Sequence, residues 1–154
     1  MKDPLKILIV EDNLSDADLL CRALKKSGLI CDFKIVQTRQ TYEQALEIFK
    51  PDLILSDYSL PSFDAVTAFK IKQEHHALVP FIIISGVIGE ENAVELIKSG
   101  VTDYVSKEKL FSRNYRNRNR RFFSRSLSAL QGRKVVRFRT IQGIEKPARM
   151  LTSA

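Results

Sequence analysis

Four short clusters in this sequence could do chemistry together. Glu11-Asp12 follows one apolar run, Asp57 closes a second, Ser85-Gly86 a third, and Lys107 a fourth. The set holds three carboxylates, a hydroxyl and an ammonium. Crowded carboxylates stay ionised only beside a cation. Oxygen-only ligands, with no His or Cys among them, select a hard metal, and inside a cell that is Mg²⁺. Octahedral Mg²⁺ takes oxygens at about 2.0–2.1 Å and keeps several waters. Two carboxylates, a backbone carbonyl and waters satisfy it and leave a position for a phosphoryl oxygen. A carboxylate beside such an ion can attack phosphorus. The metal and a lysine neutralise charge on the transferring group, and a serine hydroxyl can donate to another of its oxygens. This chemistry explains the stretch "DLILSDYSLP" at 52–61. An aspartate at the tip of a buried strand is costly unless a partner compensates its charge.

For these residues to meet, the elements carrying them must end on one rim. Strand-like runs occur at "LKILIV" (5–10), "CDFKIVQ" (31–37), "DLILS" (52–56), "PFIIIS" (80–85) and "TDYVS" (102–106). The first, third and fourth are nearly continuously apolar, as in strands covered on both faces. Helical spacing lies between them. Ala17, Leu20, Cys21 and Leu24 fall at i, i+3, i+4 and i+7, as do Tyr42, Ala45, Leu46 and Phe49. Ala65, Ala68 and Phe69, then Ala93, Leu96 and Ile97, give shorter stripes. Gly28 and Gly100 stand where a helix end needs a left-handed residue. Thr41 with Gln44 has the form of a capping box. Strands alternating with helices predict right-handed βαβ units and a doubly wound parallel sheet. Such a sheet binds ligands beyond the carboxyl ends of its strands, where the winding reverses. All four clusters follow strand ends, so the fold predicts that they converge.

Composition narrows the class. With 154 residues and 44% hydrophobic residues, the chain can build a real core. No run of 18 apolar residues predicts a membrane span, and the N-terminus lacks a signal-peptide pattern. A cytoplasmic protein is expected. Cys21 and Cys31 belong to no metal-type cluster and are expected to be reduced thiols. His75-His76 is read as the polar end of a helix. The net charge of +7 conceals two unlike parts. Residues 1–111 hold 13 Lys/Arg against 17 Asp/Glu, whereas residues 112–154 hold 12 against the single Glu145.

The acidic pair Glu11-Asp12, "DYSLP" at 57–61, "IISG" at 83–86 and "DYVSK" at 103–107 resemble, in order and spacing, the response regulator receiver domain. The resemblance covers about residues 5–110. It implies a flavodoxin-like α/β fold with a five-stranded parallel sheet in 2-1-3-4-5 order, flanked by helices. It implies that Asp57 accepts a phosphoryl group from a sensor histidine kinase or phosphotransfer protein. Glu11 and Asp12 would form the acidic pocket, with Asp12 the more direct Mg²⁺ ligand. Asp57 and the carbonyl of Ser59 would complete the protein ligands. Lys107 would pair with the phosphoryl group and Ser85 would be the hydroxyl that moves toward it. Tyr104 would be an aromatic switch, and Gly86 would leave access to the acceptor. Phosphorylation adds about −1.5 to −2 charge. Contacts available in only one loop arrangement would then shift a two-state equilibrium over residues 87–106 and so control a downstream protein. Two departures stand out. Glu108 follows Lys107 where the family usually has proline, so a trans peptide is expected. Ala65 stands where glycine is common.

Residues 1–111 are therefore expected to form the receiver. Residues 112–154 are expected to supply an atypical fifth helix and an Arg-rich tail. Three readings of that segment stand side by side: a basic arm for nucleic acid, a tail for an acidic partner or membrane surface without insertion, and the product of a shifted reading frame. A nucleic-acid-binding regulator acting through this segment is the alternative function. A phosphatase using an aspartyl nucleophile would need a second acid close behind it. The next acid after Asp57 is Asp64, so an enzyme is not expected.

Overall fold

The computed structural model describes residues 3–26, 28–86 and 90–111. Five strands alternate with five helices: β1 (Leu5–Val10), α1 (Leu14–Lys26), β2 (Cys31–Val36), α2 (Arg39–Ile48), β3 (Leu53–Ser56), α3 (Ala65–His75), β4 (Phe81–Ser85), α4 (Glu90–Lys98), β5 (Asp103–Ser106) and α5 (Lys107–Phe111). The strands pair in parallel in the order β2-β1-β3-β4-β5. The expected further course of the fifth helix and the basic segment at 112–154 lie outside the described residues, as do residues 87–89 of the expected switch surface.

Burial explains why the three most apolar runs became the central strands. β3 and β4 are buried along their whole length, and β1 is buried except at Lys6. Alternate side chains enter different cores. Leu5, Ile7, Ile9, Leu53, Leu55, Ile82 and Ile84 pack against Leu20 and Leu24 of α1 and Leu110 of α5. Leu8, Val10, Ile54, Phe81 and Ile83 pack against Tyr42, Ala45 and Leu46 of α2, Ala65, Ala68 and Phe69 of α3, and Leu96 of α4. Two helices thus cover one face and three the other.

Local signals set the helix limits. Asn13 accepts from the Asp16 amide at 3.1 Å, and Asp64 caps α3 by accepting from the Thr67 amide at 2.8 Å. The capping box of α2 is three residues earlier than Thr41 and Gln44 suggested. Thr38 is the N-cap, and its side chain and that of Thr41 each accept from the other's backbone amide. The side chain at the third helical position is therefore Thr, not Gln, and a hydroxyl completes the box. Gly28 and Gly100 have φ of +86° and +110°, the left-handed conformation that their type predicts. His75 ends α3, and His76 reaches Glu47 of α2 at 3.0 Å. Both cysteines are free. Among the described residues no helix is long and apolar enough to cross a membrane.

The topology brings the relevant strand ends together. The chain leaves β1 for β2, then crosses back to β3 on the other side of β1. Val10 pairs with Ser56, so Glu11-Asp12 and Asp57 emerge side by side at the winding reversal. Farther along the same rim, Ser85 pairs with Ser106, the residue before Lys107.

Candidate functional site

Each acidic group is fixed by backbone before its side chain acts. The Asp57 amide donates to Val10 O at 2.8 Å, and the Glu11 amide donates to Val36 O at 3.1 Å. Both residues thus extend the sheet's ladder by one step. Asp57 Oδ1 accepts from the Tyr58 amide at 2.7 Å, and Glu11 Oε1 accepts from the Asn13 amide at 3.1 Å. The remaining oxygens turn to Lys107. Its Nζ lies 2.7 Å from Glu11 Oε2, 2.8 Å from Asp16 Oδ2 and 3.1 Å from Asp57 Oδ2. Lys107 is the first residue of α5, directly after β5, and its peptide bond to Glu108 is trans.

The electrostatics follow from burial and these contacts. Burial pushes the Glu11 carboxyl up to about 7, opposed by hydrogen bonds from Lys107 and the Asn13 amide. The neighbouring Asp57 charge adds to the rise. Burial acts to lower the Lys107 pKa, but hydrogen bonds to Asp16 and Glu11, the Glu11 charge and the hydrogen bond to Asp57 hold it above its ordinary value of 10.5. Lys107 is therefore a fixed positive charge. Crowded carboxylates were expected to require a metal, yet for Glu11, Asp16 and Asp57 the structure supplies a cation from the chain itself.

The donor set still fits a hard divalent ion. Carboxylate oxygens of Glu11, Asp12 and Asp57 lie within 4.8 Å of one another. Asp12 is exposed and Asp57 half-buried, so both can be reached from solvent. Glu11 is buried, with one oxygen held by the Asn13 amide and the other by Lys107. This division suits Asp12 and Asp57 as direct ligands, with Glu11 shaping the pocket behind them. Ser59 is exposed in the loop after β3.

The other expected residues lie along the rim or beside it. Ser85 is buried at the end of β4. Tyr104 pairs with Ile83, and its half-buried ring packs against the core that holds Ile83 and Phe81. By strand alternation Ser85 and Tyr104 share that face. Burial raises the Tyr104 phenol. Gly86 is exposed, and a Cβ there would meet no heavy atom within 4 Å, so packing does not require glycine. Asp64, the nearest acid following Asp57, is engaged as the α3 cap.

Asp16 was missed by sequence reasoning. A signal existed: in "EDNLSD" Asn13 caps α1 and puts Asp16 in its first turn, where a helical side chain leans back toward the N-terminus. Only the fold shows that this direction leads to Lys107.

The family model of the response regulator receiver domain matches residues 7–113. The transcriptional regulatory protein YxdJ of Bacillus subtilis (strain 168) is 34% identical over 150 residues, covering 89% of this chain and 59% of that protein. The chain thus spans little more than half of that relative, and the match to NtrC of Proteus hauseri spans 21%. Among solved structures, the phosphorylated cyanobacterial phytochrome response regulator RcpA superposes with a TM-score of 0.64 at 22% identity, covering 84% of this chain and 94% of that one. The receiver domain of the sensor histidine kinase PA1611 from Pseudomonas aeruginosa PAO1, with a magnesium ion in its active-site cleft, gives 0.63 at 23% identity, covering 80% and 100%. At these identities the structural likeness speaks for the fold.

Proposed function

This chain belongs to the response regulator receiver domain family, and from that premise we propose that it is a phosphoacceptor switch with Asp57 as the acceptor. The phosphoryl donor is a phosphohistidine on a sensor kinase or phosphotransfer protein. An Asp57 carboxylate oxygen forms the new P–O bond as the donor's P–N bond breaks. The bonding pair leaves on the imidazole nitrogen, which takes up a proton. Asp12 and Asp57, with the Ser59 carbonyl, would hold Mg²⁺, and Glu11 would back them. An ion held there would supply positive charge against the phosphoryl oxygens. Lys107, already 3.1 Å from Asp57 Oδ2, stays within reach of the new group and adds a second positive charge. Ser85 donates from the neighbouring strand end, and Tyr104, on the same face, follows its movement. Gly86 leaves the approach to Asp57 clear. The rearranged β4–α4 and β5 surface then acts on a downstream protein.

The observation that carries this reading is the Lys107 ammonium placed between Asp57 and Glu11, with Asp12 in the same cluster. The occupation of Asp64 as a helix cap favours a switch over a phosphatase. Incubation with acetyl phosphate and Mg²⁺ tests it. The wild-type chain should take one label on Asp57, and Asp57→Asn should take none. Equal labelling of Asp57→Asn at another residue would refute the assignment.

A further inference from the structure

We propose that Asp16 is a positioning residue that draws Lys107 partly away from Asp57 and so keeps the acceptor open to a divalent ion. This inference deepens the phosphoacceptor reading and rests on it. The Lys107 ammonium has three donors, and three carboxylates take them. The contacts are unequal: Glu11 and Asp16 hold Lys107 at 2.7 and 2.8 Å, whereas Asp57 lies at 3.1 Å. Asp16 is the one member outside the Glu11, Asp12 and Asp57 cluster. It reaches the ammonium from the first turn of α1, where Asn13 pins its amide. The pull therefore comes from a different element than the acceptor's.

An ammonium and a divalent ion compete for the same Asp57 carboxylate. Without the Asp16 charge, Lys107 has, among the described residues, Glu11 and Asp57 left as partners and settles more tightly on both. A metal at Asp57 must then displace a stronger ion pair. Asp16 thus raises metal affinity without being a ligand. Its pull also leaves Lys107 tied to α1, so any movement of Lys107 toward a phosphoryl group changes the tie between α5 and α1.

Mg²⁺ titration of the full chain by calorimetry tests this, with Asp16→Asn, Asp16→Glu, Lys107→Met and the Asp16→Asn/Lys107→Met pair. Asp16→Asn should weaken Mg²⁺ binding about fivefold, the size of one charge-assisted contact. Asp16→Glu keeps the charge and should stay within about twofold of wild type. In the Lys107→Met background, Asp16→Asn should change affinity less than about twofold, because its effect passes through the ammonium. A metal-free readout accompanies these: in EDTA, the Lys107 ammonium protons should exchange several-fold faster in Asp16→Asn. Equal Mg²⁺ affinity of wild type and Asp16→Asn would overturn the proposal, as would an undiminished effect in the Lys107→Met background. Acetyl phosphate labelling of the wild type separates the two levels. Mg²⁺ binding shifted by Asp16→Asn, without any label on Asp57, upholds the positioning role and sinks the acceptor.

Discussion

Two lysines lie at opposite ends of the sheet, and burial affects them in opposite ways. Lys72, near the C-terminus of α3, is buried, and among the described residues it bonds only neutral oxygens: Gln73 Oε1 at 2.7 Å and Ala77 O at 2.8 Å. Its ammonium also lies 5.4 Å from the centre of the Phe69 ring. Burial pulls its pKa from 10.5 down to about 8. Lys107, at the carboxyl-end rim, is also largely buried, yet three carboxylates hold its pKa above the ordinary value. Burial alone does not decide whether a lysine keeps its charge; the partners do. At one end the lysine is a filler that secures the α3–β4 connection. At the other it is a permanent charge held among Glu11, Asp16 and Asp57.

The largest expected difference between the two comes from removing the charge. Lys107→Met leaves Glu11 buried with Asp57 and Asp16 beside it and no internal cation. Loss of one partner of a buried ion pair costs about 3–5 kcal/mol, and denaturant unfolding at pH 8 without metal should register a loss of that order. The loss should shrink at pH 5, where Glu11, with its pKa near 7, is already protonated and needs no partner. An equal loss at both pH values would contradict the coupling of Glu11 to Lys107.

Lys72→Met should change stability at pH 7 by less than about 1 kcal/mol, because an apolar side chain of similar length replaces an ammonium that burial penalises. Its pH dependence is the sharper test. The folded pKa of Lys72 is below its unfolded one, so between about 8 and 10.5 the unfolded chain holds the extra proton. Stability from this residue therefore rises with pH across that window, and the penalty is fully present below it. Lys72→Met should abolish that rise. A persistent rise in the variant would assign it to another group.

Much of this was legible in the sequence because the relevant signals are local. The run "LILS" needs no context to read as a buried strand, and Gly28 and Gly100 mark helix ends by type alone. The cluster of Glu11, Asp12 and Asp57 was legible too, since topology forces the ends of neighbouring parallel strands together. What stayed hidden depends on side-chain direction across elements. Asp16 was not singled out by its sequence, because its contact with Lys107 spans 91 positions. Lys72 carries no sequence signal that sets it apart, and packing against Phe69 and Ala77 reveals it as interior. The box at Thr38 was displaced because a hydroxyl at the third helical position can do what glutamine more often does.

The central claim is that one pocket on the sheet's rim unites Asp12, Asp57, Ser85 and Lys107 around a metal and a phosphoryl group. A crystal structure of the chain with Mg²⁺ and beryllofluoride, a phosphoryl mimic, tests it most directly. The account predicts the mimic on Asp57, the ion on Asp12 and Asp57, and the ammonium of Lys107 and hydroxyl of Ser85 turned to the fluorides. A mimic bound elsewhere, or a Lys107 that remains on Glu11 and Asp16 while Asp57 is occupied, would contradict it.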